Sequence, residues 1–346
     1  MKSPGTKTIL VTGGGGYIGT VLTEMLLAAG YQVIVLDRFF FGNTLDDLQK
    51  DAGLRLVEGD IRTVSPTLFE GVYGVCDLAA LNNDPAGELD PKRTLDINYR
   101  GRARICSLAK QAGVERYILA SSCSIYGFQD DIVDETSAVN PLTTYAKANY
   151  RTEQECLPKA DKDFCVTSLR QSTVYGASRR MRFDLAINGM TLSAYGSGVV
   201  KLLRDGTQWR PMVHVRDTAQ AFLAVLEAAV ASINGQIFNV GSEEQNLQLH
   251  ALTERICKTA GIPHAIEWYG DPDVRSYRVS FKKIVDTLGY HTKYTPEDGV
   301  HEIMEGLKQG TLKDELVTYT VKWYKYLIEA DQHVLAPRRE GHSHSI

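Results

Sequence analysis

From Thr8 onward, short and nearly continuous apolar runs alternate with stretches whose apolar positions recur at helical spacing. The runs "TILVTG" (8–13), "QVIVLD" (32–37), "LRLVEGD" (54–60), "VCDLAAL" (75–81), "RYILASS" (116–122) and "FCVTSLR" (164–170) read as strands. Apolar residues on both faces of a strand are expected where helices cover both faces of a sheet. Between them, "IGTVLTEMLLAAG" (18–30), "TLDINYRGRARICSLAKQAG" (94–113) and "TYAKANYRTEQECLPKA" (144–160) carry the helical period. Gly30 and Gly113 stand where helix C-caps belong. This alternation predicts an α/β fold with a parallel, doubly wound sheet.

After about residue 176 the pattern changes. A helical "RFDLAINGMTLSAYG" (182–196) precedes "VKLLRDGTQWRPMVHVRD" (200–217), and a helix is expected from Thr218 to about Ala231. "QIFNVG" (236–241) reads as a strand returning to the sheet, and the remainder is mainly helical, ending in "DELVTYTVKWYKYLIEA".

Composition narrows the class. The 346 residues are 43% hydrophobic and 23% charged, with a formal charge of −4, a balance that suits a large globular core and offers no basic footprint for nucleic acid. No apolar run is long enough for a membrane span, and "MKSPGTKTILVTGG" passes straight into a strand, leaving no room for a signal peptide. Six scattered cysteines (Cys76, Cys106, Cys123, Cys156, Cys165, Cys257) show no metal-ligand spacing, so no metal is expected and a reduced cytoplasmic protein fits.

The first chemistry-bearing motif is "VTGGGGYIGTVL" (11–22). It sets Gly13, Gly16 and Gly19 directly after a strand and at the opening of a helix. The first glycine allows a tight turn, the second lets backbone approach a pyrophosphate, and the third permits close helix–strand packing. Asp37 closes the second strand, where a carboxylate would accept bonds from a ribose 2′-OH and repel a 2′-phosphate. NAD is therefore expected over NADP, with Arg38 beside Asp37 acting against that preference. The fold expectation becomes a Rossmann-type domain over residues 1–176, with 212–241 rejoining its sheet. A smaller, interleaved substrate-binding region spans 177–335, and a disordered tail is expected at 336–346.

Several motifs fall in the order seen in the extended short-chain dehydrogenase/reductase family, the nucleotide-sugar epimerases and dehydratases, and the chain resembles that family over most of its length. "TGGGGYIG" resembles the family's glycine motif and brings Tyr17 and Ile18 to the cofactor. "GDIR" (59–62) resembles its adenine-contacting segment, with Asp60 and Ile61 in the matching places. "DLAAL" (77–81) resembles the strand motif lining the cofactor, through Leu78, Ala79 and Ala80, and Asn98 matches a structural asparagine beside it. "SSCSIYG" (121–127) resembles the segment carrying the catalytic hydroxyl, which the resemblance assigns to Ser122. The next two positions hold an acid pair in the resembled dehydratases; here they are Cys123 and Ser124, which weakens a dehydratase reading.

Tyr145, in "TTYAKANY" (143–150), takes the place of the family's catalytic tyrosine. A phenol with a free pKa near ~10 must be acidified to act as a base near neutrality. The family places a lysine four residues on; here that position is Asn149, and the nearest lysine, Lys147, is two residues along. Residues four apart share a helix face and residues two apart do not, so Lys147 is no replacement. Asn149 retains an amide that would donate to the nicotinamide ribose. In the second half, the resemblance implies that Asn188 and Arg210 contact a substrate diphosphate, with Arg275 as a second phosphate ligand. Asn82, Asn83 and Asp84, just after the fourth strand, would border the sugar, with Thr173 at a further contact.

The expected function is that of an NAD-dependent epimerase of a nucleotide-diphosphate sugar, working by transient oxidation to a keto-sugar, in a homodimer. A reductase or dehydrogenase on the same substrate class, and a non-catalytic NAD-binding relative that lost the lysine, stand as alternatives.

Overall fold

The computed structural model describes residues 7–271, 273 and 275–330; the tail expected at 336–346 lies outside them. Seven strands form the central sheet: β1 (Thr8–Thr12), β2 (Gln32–Asp37), β3 (Leu54–Glu58), β4 (Gly74–Asp77), β5 (Arg116–Ser122), β6 (Cys165–Gln171) and β7 (Gln236–Val240). Every pairing is parallel, and the order is β3-β2-β1-β4-β5-β6-β7. The Rossmann-type doubly wound architecture read from the apolar runs is the architecture observed. The winding reverses between β1 and β4, which opens a crevice at the carboxyl ends of those two strands.

Both sheet faces are covered, which is why the strands read as continuous apolar runs. Ile9, Val11, Val33 and Val35 face a cluster completed by Leu22 and Leu26 and by Ala219, Phe222 and Val225 from the helix Val215–Glu227. Leu10, Ile34, Leu36 and Val75 face the other side, against Ile105, Cys106, Ala109 and Cys156. A third cluster, including Ile187, Leu202, Met212 and Leu252, holds the C-terminal region together. There the strand Trp209–His214 pairs with Thr173–Tyr175 and with Asn246–Gln248 in a small sheet of its own, while Gln236–Val240 pairs with β6. All six cysteines are buried and free.

Two helices differ from the pattern in ways that matter for the site. The long helix expected over 94–113 is three pieces: a short helix Pro91–Leu95, a π-helical turn Asp96–Gly101, and a helix Arg102–Gln111. The wide turn adds a residue to the register, and Gly101 allows it to press on Ile61, whose side chain would lie 2.9 Å from a Cβ there. The helix expected from 182 begins at Ala186 instead. The residues before it form a turn, in which the Phe183 N–H donates to the Thr318 carbonyl and Arg182 pairs with Asp184.

Candidate active site

The loop between β1 and the helix Tyr17–Ala28 is shaped by close backbone approach. Gly13 has φ +71°, and a Cβ there would lie 2.8 Å from the Ala79 nitrogen, directly across the switch point. Gly19 sits under the loop, where a Cβ would be 2.2 Å from the Gly13 carbonyl oxygen. The helix begins at Gly16 with no side-chain cap and no acidic residue in its first turn. Its free N–H groups and positive dipole end therefore face the crevice, as an anionic diphosphate requires.

Asp37 stands at the end of β2, with its carboxylate accepting the N–H groups of Gly15 at 2.9 Å and Phe39 at 2.8 Å. Burial pushes its pKa up, and those two N–H groups pull against the shift. Arg38 is engaged elsewhere: its guanidinium pairs with Asp60 at 2.8 Å. Arg62 holds the same carboxylate, which lies well below the usual range because of these guanidinium bonds. Ile61 is buried and packs under Gly101.

A cleft of about 1050 Å³ runs from this loop toward the C-terminal region. Gly13, Gly16, Tyr17, Ile18, Gly19, Leu78 and Ala80 line its first part, and Ala79 backs Gly13 from behind. Asn82, Ser122, Ser124, Tyr145 and Thr173 line the middle, and Arg210 and Arg275 the far part. Ser122 accepts the N–H of Ser124 at 3.1 Å, which leaves its hydroxyl proton free to donate. The Ser121 and Ser124 hydroxyls and the Asn82 and Gln171 side-chain oxygens are buried with no partner, all on this wall. Unpartnered buried polar groups are costly, and a polyhydroxylated ligand would satisfy them.

Tyr145 opens the helix Thr144–Cys156, capped by the Thr143 hydroxyl, which accepts the Ala146 N–H. Burial pushes the phenol up, and the Asp84 carboxylate adds to the rise; the Asn149 amide, Arg102 and Arg182 act in the opposite direction. Asp84 is paired with Arg275, Asp184 with Arg182, and Asp273 with both Arg210 and Arg275.

Several residues singled out in the sequence have other occupations. Cys123 is buried and donates to the Arg170 carbonyl at 3.3 Å; burial raises its thiol, and it faces the core rather than the cleft. It has no place in acid–base chemistry there. Asn188 is also off the cleft wall. It accepts the Gly176 N–H and donates to the Tyr17 hydroxyl and the Arg182 carbonyl, so it pins structure rather than meeting a diphosphate. Asn98 clamps both backbone groups of Leu81, at 2.8 and 2.9 Å, and so acts on the cleft only through that loop.

Asn149 departs most from expectation. It is buried, its amide donates to the Tyr145 carbonyl at 3.2 Å, and its oxygen accepts from Arg102 Nη1 at 3.0 Å. It does not line the cleft, so it is not presented to a ribose. Asn83 and Asp84 line the cleft beside Asn82, as expected of that loop; the residues that the sequence reading missed are Arg102, Arg182 and Asp184, charged groups also on the cleft wall. Arg102 is one of three arginines in "YRGRARI", and only the π-turn decides which of them faces inward.

A switch-point crevice with a glycine-cradled helix terminus, a hydroxyl and phenol midway and two arginines beyond defines a dinucleotide-binding enzyme class. Comparison with known proteins makes this specific. The chain belongs to the NAD dependent epimerase/dehydratase family, whose model matches residues 9–241. It is 28% identical over 328 residues to UDP-glucose 4-epimerase from Lacticaseibacillus casei, covering 86% of this chain and 95% of that protein. It is 25% identical over 327 residues to UDP-N-acetyl-alpha-D-glucosaminuronate decarboxylase from Bacillus cytotoxicus, covering 88% and 98%. Among solved structures, MoeE5 in complex with UDP-glucuronic acid and NAD superposes with a TM-score of 0.78 at 25% identity, covering 88% of this chain and 99% of that one. No helix among the described residues is long and apolar enough to cross a membrane.

Proposed function

We propose that this chain is an NAD-dependent epimerase of a nucleotide-diphosphate sugar. The observation that carries the reading is the middle of the cleft, where Ser122 and Tyr145 line a wall of unpartnered hydroxyls. Elimination of water asks for a further group, a free acid to protonate the leaving hydroxyl. The positions after Ser122 are Cys123 and Ser124, and Asp84, Asp184 and Asp273 are each tied to an arginine.

NAD would be held by the Gly13–Gly19 turn, the open start of the helix Tyr17–Ala28 and Asp37, and would supply a hydride acceptor that later returns the hydride. Ser122 donates a hydrogen bond to the substrate oxygen, keeping its own proton, and holds that oxygen in place. Tyr145 takes the hydroxyl proton from that oxygen and gives it back when the hydroxyl is re-formed. Arg210 and Arg275 sit at the far end of the cleft, where exchange of Asp273 and Asp84 for a diphosphate would orient the nucleotide. The buried hydroxyl wall lets the neutral keto-sugar rotate without losing all its partners.

The test is product analysis by nuclear magnetic resonance on a panel of UDP- and dTDP-sugars, with NADH absorbance followed in parallel. The expected result is an epimer without net NADH, lost in Tyr145→Phe by at least about 100-fold, while NAD⁺ affinity stays unchanged. Net NADH accumulation would move the protein to the dehydrogenases. Full turnover in Tyr145→Phe would remove Tyr145 as the base.

A further inference from the structure

The proposed base lies in a cleft that raises its pKa, and the residue one turn along its helix carries no charge. The structure nevertheless places a permanent cation at this point, delivered by another helix. Arg102 begins the helix Arg102–Gln111, is 1% exposed, and reaches the cleft wall. Its Nη1 donates to the Asn149 oxygen at 3.0 Å, and the Asn149 amide donates to the Tyr145 carbonyl at 3.2 Å. Arg102, Asn149 and the first turn of the Tyr145 helix are thus joined in one chain of hydrogen bonds.

The rest of the guanidinium is held rigidly. Nη2 donates to the carbonyls of Asp77 and Ala120, at 2.9 and 2.6 Å, and Nε to the Asp77 carboxylate at 3.2 Å. That carboxylate is further fixed by the Thr12 and Tyr117 hydroxyls, each at 2.5 Å. Burial pushes the Arg102 guanidinium down, but Asp77 and the nearby Tyr117 and Tyr145 phenols outweigh it, and the charge is retained. Such a built polar network deep in a core, with one end open to the cleft, serves more than packing.

We propose that Arg102 is the positioning residue that supplies the fixed positive charge beside Tyr145, in place of a cation at position 149. Asn149 is then neutral for a reason. A lysine there would bring an ammonium against the Arg102 guanidinium in a buried site, where like charges repel strongly. The two positions hold one cation between them. The inference rests on the reading of Tyr145 as base. The other charges near the phenol are Arg182 with its partner Asp184, Asp84 with its partner Arg275, and Glu88, which accepts the Thr144 N–H. Lys147 is exposed and points away. Each of these nearby charges belongs to a pair or a helix cap that the variants below leave untouched.

The experiment reads the ionisation of Tyr145 directly, in full-length protein loaded with NAD⁺ and carrying carbon-13 ring-labelled tyrosine; the Tyr145 signal is identified by its loss in Tyr145→Phe. Arg102→Met combined with Asp77→Asn removes the ion pair as a unit, which avoids stranding a buried charge. The expected result is an upward move of the Tyr145 midpoint by about one pH unit, a roughly tenfold loss of phenolate at fixed pH. Arg102→Lys is expected to keep the midpoint near that of the parent. Asn149→Lys alone is expected to destabilise the protein, and Asn149→Lys with Arg102→Met to restore both stability and midpoint. An unchanged midpoint in the folded Arg102→Met/Asp77→Asn protein overturns the proposal. So does independence of the Asn149→Lys and Arg102→Met effects, which remains readable as melting temperature should the pair-deleted protein fail to fold. None of these readouts needs the sugar to be known, so failure of the epimerase reading appears separately, as absence of turnover in the parent.

Discussion

Gly19→Ala tests the geometry on which cofactor binding depends. In isolation the change favours a helix by about 1 kcal/mol. Here the new Cβ would lie 2.2 Å from the Gly13 carbonyl oxygen and 2.6 Å from the Gly14 Cα, whereas ordinary contact begins at 3.4 Å. The helix and the loop must separate by about 1.2 Å, the shortfall at the oxygen. Both obstructing groups are backbone, and Gly13 is itself locked against Ala79, so no rotamer change relieves the contact. Overpacking of this kind costs up to about 3 kcal/mol, leaving a net loss near 2 kcal/mol, or about thirtyfold in the folding equilibrium.

The same displacement withdraws the helix N-terminus from the diphosphate. Loss of one hydrogen bond to a charged group, about 1.5–3 kcal/mol, corresponds to roughly 10- to 100-fold weaker NAD⁺ binding. Calorimetric titration and thermal unfolding read the two effects. Gly196→Ala is the matched control: it lies in the helix Ala186–Ser197 with nothing within 4 Å of a Cβ, and should stabilise by up to about 1 kcal/mol without touching NAD⁺ affinity. A Gly19→Ala protein that melts with the parent and binds NAD⁺ within about twofold of it would refute the close-approach reasoning.

Asp37→Asn should weaken NAD⁺ by roughly tenfold and narrow the preference over NADP⁺, since the amide neither accepts as strongly nor repels a 2′-phosphate; binding isotherms for both cofactors check this. Glu153→Ala should cost about 3–5 kcal/mol in chemical denaturation, because Arg170, held by Glu153 at 2.8 Å, is left as a buried unpaired charge. The Asp60 carboxylate is depressed in the folded chain by Arg62 and Arg38. Its contribution is therefore complete above the unfolded value near ~4 and lost as pH falls below that. Asp60→Asn should flatten the acid limb of melting temperature against pH and lower the melting temperature little at pH values where the parent has already lost that contribution.

Much of this molecule was legible along the chain because its signals are local. A strand buried on both faces needs an unbroken apolar run, so "TILVTG", "QVIVLD" and "RYILASS" announced β1, β2 and β5, and the doubly wound sheet followed. A glycine is required wherever backbone meets backbone, so Gly13 and Gly19 were visible in advance, as was Asp37 at a strand end. Side-chain direction inside an irregular helix is different. The π-turn at Asp96–Gly101 turns Arg102 toward the cleft, and no period in "NYRGRARIC" reveals it. The pairing of Asn188 with Tyr17, and of Asp84 with Arg275, joins segments far apart in the chain. The sequence alone determined the fold, the dinucleotide turn and the absence of a lysine four residues after Tyr145. Only the tertiary structure decided where the positive charge went, because a charge acts through space and the helix that carries it lies more than forty residues away.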